Sequence, residues 1–327
     1  MRIGLIGMNY KRVDLDLRER FARSTKKLSL HIPFVLLSTC NRTEIYFSSE
    51  DLVQGHSAII AALKEEMGEF GDHNLYSSFA EACFAHLAQV ITGLDSVIFG
   101  EAEIQRQVKD AYEQACQLRN IPAPLHFLFQ KSLKIGKEVR TVFSLPRGHV
   151  SMESIIADIV RYFFGSDKTP SFLFVGFSEI NRKILSFLQE KGFSSLNLAT
   201  RNPLSAEQMS LKASLVDWLT LSNWSCYDIV VCGSQSSDYL LRQDHLVKKE
   251  VQTRLVLDLS MPRNADPLIG KHPYLTLLNI EEINGFITHK QQSFCKEKEL
   301  IHKHIEELVS RQIDLYQERK NKVFVCA

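Results

Sequence analysis

Between residues 171 and 279 the chain alternates short apolar runs with longer mixed stretches, and nothing else in it constrains the fold as strongly. The runs are Phe172 to Val175, Leu196 to Ala199, Ile229 to Cys232, Leu255 to Leu259 and Leu275 to Leu278. A helical stretch, Glu179 to Lys191, follows the first run directly. Strands alternating with helices predict a parallel, doubly wound sheet, the layout of a Rossmann-type dinucleotide-binding domain.

The turn after the first run reads Gly176-Phe177-Ser178-Glu179-Ile180-Asn181, where a phosphate-cradling loop would read Gly-x-Gly-x-x-Gly. Only the first glycine is kept. The loop still follows a strand and opens a helix, as phosphate binding at a helix N-terminus requires. Ser178 offers a hydroxyl to a phosphate, whereas the loss of the two later glycines, at Ser178 and Asn181, predicts a crowded approach for a pyrophosphate. At the end of the second run stand Thr200, Arg201 and Asn202. An acid at this place holds the ribose 2′-hydroxyl of NAD; an arginine suits the 2′-phosphate of NADP. The other reading of Arg201 is a surface arginine in a turn before Pro203. Gly233, after Ile229 to Cys232, and the stretch Ser260 to Arg263 fall at strand carboxyl ends, which line the ligand crevice of open α/β sheets.

Residues 1–77 alternate strand and helix signals in the order β-α-β-β-α-β, which suggests a ferredoxin-like α+β sheet with helices on one face. Two of its apolar runs flank Ser38-Thr39-Cys40-Asn41-Arg42-Thr43-Glu44. A cysteine in such a connection is displayed by a rigid scaffold. If Arg42 leaves the same face, its charge favours thiolate, which makes Cys40 a candidate nucleophile. The alternative is a buried structural cysteine.

Residues 78–144 read as mostly helical, with His86 on the first helix and Glu101 to Leu118 as the second. Pro122 and Pro124 break the chain before a third helix, Leu125 to Phe143. That helix carries Lys131, Lys134, Lys137 and Arg140; the three lysines share a face that either grips RNA phosphates or is simply solvated. Leu145 to Gly148 reads as a hinge, and Ser151 as the start of a helix. Domain boundaries are therefore expected at 1–148, 149–279 and 280–327. In the last of these, Ile301, Ile305, Leu308, Gln312 and Leu315 form a heptad-like seam, which suggests a homodimer contact.

A net charge of +1 announces no global field for nucleic acid, so RNA contacts would be local. The seven cysteines include no CxxC pair, and the histidines of the tail match no metal-ligand spacing, so no metal is expected. Scattered cysteines without a leader suggest a reducing, cytoplasmic setting, and no apolar run reaches the ~20 residues of a membrane span.

Ser38-Thr39-Cys40-Asn41-Arg42-Thr43-Glu44-Ile45-Tyr46 closely resembles the active-site motif of the glutamyl-tRNA reductases. Gly93 to Glu101, with Ile104, Gln107-Val108-Lys109 and Ala111-Tyr112, is similar to that family's second signature; Asp258 to Pro267 resembles a third block. The likeness runs from about Met1 to Glu282. It implies NADPH-dependent reduction of glutamyl-tRNA(Glu) to glutamate-1-semialdehyde through a thioester on Cys40, the first step of a route to porphyrins. It implies His86 as an acid/base or orienting group, and Thr39 and Asn41 as holders of the carbonyl oxygen. Arg42 either clamps the substrate carboxylate or pairs with Glu44. Ser96, Glu101 and Gln107 would shape the pocket, with Glu103 standing where the family has glutamine. Gly176 to Asn181, Thr200, Arg201 and Gly233 would hold NADPH. Tyr10 replaces a usual histidine, and Thr141-Val142-Phe143 a more polar run, so the chain resembles a divergent member. The family usually continues into a larger helical dimerisation domain, and direct transfer of product to an aminomutase partner is implied. Two rivals stand beside this reading: another NADP-dependent reductase of a small carbonyl, and a non-catalytic protein that binds glutamyl-tRNA or a partner.

Overall fold

The computed structural model describes residues 1–68, 70–143, 151–165, 170–203, 213–246, 254–290 and 295–325. The expected hinge at 145–148 lies outside them. Two compact units are formed, one from residues 1–149 with 291–327 and the other from residues 150–290.

The first unit holds β1 (Gly4–Asn9), α1 (Leu15–Lys27), β2 (Phe34–Ser38), β3 (Arg42–Phe47), α2 (Leu52–Met67) and β4 (Tyr76–Phe79). Its sheet runs β2-β3-β1-β4 with every neighbour antiparallel, the expected ferredoxin-like order. Asp14 and Asp51 start α1 and α2 by accepting first-turn amides. Alternation along the strands sends Ile6, Met8, Ile45 and Phe47 toward α1 and α2, into a core with Phe21, Ile59 and Leu63. Leu5, Val35, Leu37 and Tyr46 face the opposite way.

That second face is covered as well. It packs into a core with residues of α3 (Ala80–Thr92), α4 (Glu103–Leu118) and α5 (Ala123–Val142), including Phe84, Val108 and Phe129. The C-terminal helix, numbered α9 here (Cys295–Val325), joins the same core through Ile301, Ile305, Leu308, Val309 and Ile313. This corrects the seam reading. Ile301 and Ile305, at most 2% exposed, are spent on the unit's own core, Leu315 is exposed, and Ile313 takes the buried place instead.

The second unit opens with α6 (Met152–Phe164), whose first turn is closed by reciprocal Ser151 and Ser154 hydrogen bonds. Its strands are β5 (Phe172–Val175), β6 (Leu196–Ala199), β7 (Ser214–Val216), β8 (Ile229–Cys232), β9 (Leu255–Asp258) and β10 (Thr276–Asn279). All pair in parallel, in the order β10-β9-β8-β5-β6-β7, so the strand order reverses between β5 and β8. This is the doubly wound arrangement that places a ligand crevice at that point. β7 is an edge strand with little apolar burial, which is why its sequence does not announce it. Helix α7 (Glu179–Glu190) follows β5, and α8 (Ile280–Lys290) follows β10, so residues 280–327 are divided between the two units.

Candidate active site

Cys40 and Asn41 occupy the corners of the turn that joins β2 to β3. The Thr39 amide donates to the Arg42 carbonyl at 2.8 Å and closes it. The Thr39 hydroxyl accepts from the amides of Asn41 and Arg42 at 3.3 and 3.2 Å, so its place is in shaping the turn. Asn41 receives the Tyr10 amide on its carbonyl at 3.0 Å, which ties the β1 end to this turn. Arg18, buried on α1, donates to the Cys40 carbonyl at 2.7 Å.

Cys40 is half-buried, and burial pushes its thiol up to about 11, with Glu101 adding to the rise against the opposing fields of Arg18 and Arg42. Arg42 pulls toward thiolate as expected, but burial and Glu101 outweigh it, and its charge is shared with two carboxylates. Arg42 Nη1 lies 3.0 Å from Glu44 Oε1 and 3.0 Å from Asp95 Oδ2, and Nη2 donates to the Asp95 carbonyl at 2.6 Å. Of the two roles open to Arg42, the geometry carries the pair with Glu44.

Glu44 is the hub that sequence reading undervalued. Its fully buried carboxylate accepts from Arg42, from Tyr46 Oη at 2.6 Å, and from Tyr76 Oη at 2.6 Å. Its Oε1 also lies 2.8 Å from His86 Nε2. Burial alone would raise this carboxyl, but the fields of His86 and Arg42 and the hydrogen bonds of His86 and Tyr46 hold it well below the usual range. A carboxylate only accepts, so His86 Nε2 donates to it, and in a neutral imidazole Nδ1 is then the acceptor. The signal was present in the sequence: Arg42, Glu44 and Tyr46 stand two apart on a strand and therefore share one face.

The second signature forms a closed loop after α3. Gly93 ends that helix with φ +74°, and its carbonyl receives the Gly100 amide at 3.0 Å. A Cβ at Gly93 would come within 2.8 Å of the Glu101 amide, so the loop needs glycine there. Ser96 hydrogen-bonds Glu101, whose carboxyl is pushed up chiefly by burial. Arg140 donates to the carbonyls of Gly100, Glu101, Ile91 and Thr92, and to Gln105 Oε1. It therefore pins this loop, unlike the exposed Lys134 and Lys137 of the same helix. Glu103 pairs with Arg106. Gln107 is half-buried on α4, and Gln105 is the glutamine that meets the loop's clamp.

In the second unit the crevice is bounded by Gly176 and Gly233. Gly176 has φ +90°, and a Cβ on it would lie 2.6 Å from that of Ser234. The side chain of Asn181 is fully buried and turns inward, its Nδ2 donating to the carbonyls of Val175 and Gly176 at 3.1 and 2.9 Å. At this one of the two substituted positions the side chain therefore fills the space beneath the loop. Its Oδ1 is buried against Gly233, with no hydrogen-bond partner among the described residues. Ser178 caps α7 by accepting the Asn181 amide at 3.3 Å, leaving its hydroxyl proton to donate. Glu179 is paired with Lys183, the Phe177 ring faces Arg182, and Ile180 is half-buried. Thr200 is buried and caps the turn at Asn202, and exposed Arg201 lies over the Trp218 ring. A left-handed glycine, a capped helix N-terminus and an arginine at the end of β6 fit a phosphorylated dinucleotide.

Comparison with known proteins decides between the rivals. Residues 6–142 match the model for the N-terminal domain of glutamyl-tRNA(Glu) reductase, and residues 158–286 match shikimate / quinate 5-dehydrogenase. The glutamyl-tRNA reductase of Chlamydia pneumoniae is 33% identical over 275 residues, covering 80% of this chain and 78% of that protein. This chain belongs to the glutamyl-tRNA reductase family. The glutamyl-tRNA reductase of Chlamydia caviae is 32% identical over 315 residues, covering 91% of this chain and 89% of the relative. The solved glutamyl-tRNA reductase of Methanopyrus kandleri shares the fold, with TM-score 0.53 and 21% identity over 99% of this chain and 83% of that one. Among the described residues no group of His, Cys, Asp and Glu side chains is placed to hold a metal, and no helix is long and apolar enough to cross a membrane.

Proposed function

We propose that this chain reduces glutamyl-tRNA(Glu) to glutamate-1-semialdehyde with NADPH, through a thioester on Cys40. The observation that carries the reading is a half-buried thiol at the tip of a turn locked by Thr39, Arg18 and Tyr10, in a chain of this family. The Cys40 sulfur attacks the aminoacyl ester carbonyl, the carbon–oxygen bond to the tRNA breaks, and the thiol proton ends on the departing ribose hydroxyl. Because the resting thiol is held protonated, its deprotonation accompanies attack, and His86 Nδ1 is the acceptor atom proposed to take and return that proton. NADPH, when bound, would supply the hydride that the thioester carbonyl needs, and collapse of the hemithioacetal on Cys40 would release the aldehyde and free the sulfur. Gly176, Ser178, the first turn of α7 and Arg201 would hold the cofactor. A free nucleophilic thiol favours a reducing compartment such as the cytoplasm. The aldehyde is reactive, which favours delivery to an aminomutase. A homodimer would need a face other than the apolar stripe of α9, which is buried within its own unit.

Intact mass tests the reading. Full-length protein mixed with glutamyl-tRNA(Glu) should gain one glutamyl group, and NADPH should remove it. Cys40→Ala should gain nothing and lose about 10³-fold or more in turnover. Semialdehyde formed at the wild-type rate by that variant would overturn the thioester; an adduct that NADPH cannot clear would overturn the reductase reading and leave an acyl acceptor.

A further inference from the structure

Residues that follow β6 and β7 come side by side because those strands pair in parallel, with Ala199 opposite Val216. Two residues beyond each partner stand Arg201 and Trp218, and the Arg201 guanidinium lies 4.9 Å from the indole ring centre. Trp218 is set there by the helical turn it begins. Asp217 caps that turn, its Oδ1 accepting the Leu219 amide at 2.9 Å and its carbonyl accepting the Thr220 hydroxyl at 2.8 Å. Two residues before Arg201, the Ala199 carbonyl receives the Gly176 amide at 2.9 Å, so the strand end that Arg201 follows is tied to the phosphate loop.

Arginines of this chain divide between carboxylate partners and aromatic faces, with Arg12 over Tyr76 and Arg119 over Phe34 in the second group. Arg23, Arg106, Arg161 and Arg242 each approach a carboxylate. Arg201 is exposed, stacks on Trp218, and makes no ion pair among the described residues. Stacking uses the face of a guanidinium and leaves its N–H edge directed outward, in the plane that binds a phosphate by two parallel hydrogen bonds.

We propose that Trp218 is a specificity-determining residue of the dinucleotide site, fixing the Arg201 guanidinium so that it selects a ribose 2′-phosphate over a 2′-hydroxyl. This rests on the NADPH reading above and adds to it the residue that orients the selecting charge. Without the indole, Arg201 samples other rotamers, and the ordering cost returns when a ligand binds.

Calorimetric titration of the full-length protein with 2′,5′-ADP and with 5′-AMP separates the two ideas. Wild type should prefer 2′,5′-ADP, and Arg201→Ala should abolish most of that preference. Trp218→Leu should narrow it about 5-fold, and Trp218→Phe should restore part of it, since indole is the strongest of the aromatic faces for a cation. An unchanged preference in Trp218→Leu, alongside its collapse in Arg201→Ala, overturns the role of Trp218 and leaves NADPH selection by Arg201 standing. Wild type with no preference for the 2′-phosphate overturns the NADPH reading and the proposal together.

Discussion

Both units bury a carboxylate beneath the loops that end their strands, and they hold it by different means. Glu44 in the first unit is 0% exposed and Asp258 in the second is 1% exposed, so burial penalises their charged forms alike. Glu44 meets Arg42, His86 and two tyrosine hydroxyls, and its carboxyl is held low. Asp258 is met by the backbone amides of Ser260, Asn264 and Ala265 at 3.1, 2.8 and 2.8 Å and by the Ser260 side chain, with no cation among the described residues, and burial pushes it up to about 6. Amide and hydroxyl dipoles satisfy the lone pairs of a carboxylate without balancing its charge. A guanidinium with hydroxyls does both. The first arrangement suits a site that must keep a histidine oriented, and the second shapes a loop.

The largest effect should come from breaking the charged hub. Glu44→Gln leaves Arg42 buried with Asp95 as its remaining carboxylate partner, and should cost about 3–5 kcal/mol. Asp258→Asn disturbs amide contacts without orphaning a cation, and should cost about 1–3 kcal/mol. Denaturant titration, with hydrogen exchange in β3 and β9 to assign each loss to its unit, measures both. Equal costs would break the contrast.

Acid titration separates the carboxylates by sign. Glu44 titrates lower folded than unfolded, so its contribution is present above about pH 4.3 and is lost as pH falls below that value. Asp258 titrates higher folded than unfolded. Between about pH 4 and pH 6 the folded state binds the extra proton, so its contribution is present at the acid end and is lost as pH rises through 6. The gap in stability between wild type and Asp258→Asn should therefore shrink by on the order of 2 kcal/mol from pH 4 to pH 6. The gap for Glu44→Gln should instead shrink as pH falls below 4. A shared direction would mean that one of the two carboxylates is held otherwise than its contacts indicate.

How much of this was legible in the sequence follows the same division. The parallel sheet was readable because its strands are continuous apolar runs between helices, and Cys40 because its motif stands between two strands. The hub was readable in principle from Arg42, Glu44 and Tyr46 at alternate positions, but Tyr76 and His86 reach it from 32 and 42 residues away, which no local pattern encodes. Arg140 looked like one more cation beside Lys137; only the closed loop after Gly93 shows why it points inward. The apolar stripe of α9 was visible, yet a stripe does not say whether its partner is another chain or the core of its own unit. Asn181 looked like damage to a glycine loop because sequence gives no direction to a side chain, and here the direction is inward.

The smallest effect tests whether the second network depends on its amides or on its hydroxyls. Asn264 Oδ1 accepts from Ser234 Oγ at 2.6 Å, from Ser260 Oγ at 2.8 Å and from the Ser234 amide at 3.2 Å. Removing one hydroxyl by Ser234→Ala leaves the other two donors in place, so no buried acceptor is orphaned. The Ser234 hydroxyl also accepts the half-buried Ser236 amide at 3.2 Å, so the expected loss is the net value of two neutral hydrogen bonds, about 1–2 kcal/mol, with the pH response of Asp258 unchanged. A loss of several kcal/mol, or an altered response between pH 4 and pH 6, would mean that the hydroxyls transmit to Asp258 and that its amide cage is not self-sufficient. The contrast with Glu44 would then narrow, because both carboxylates would depend on side-chain networks rather than one on side chains and the other chiefly on backbone.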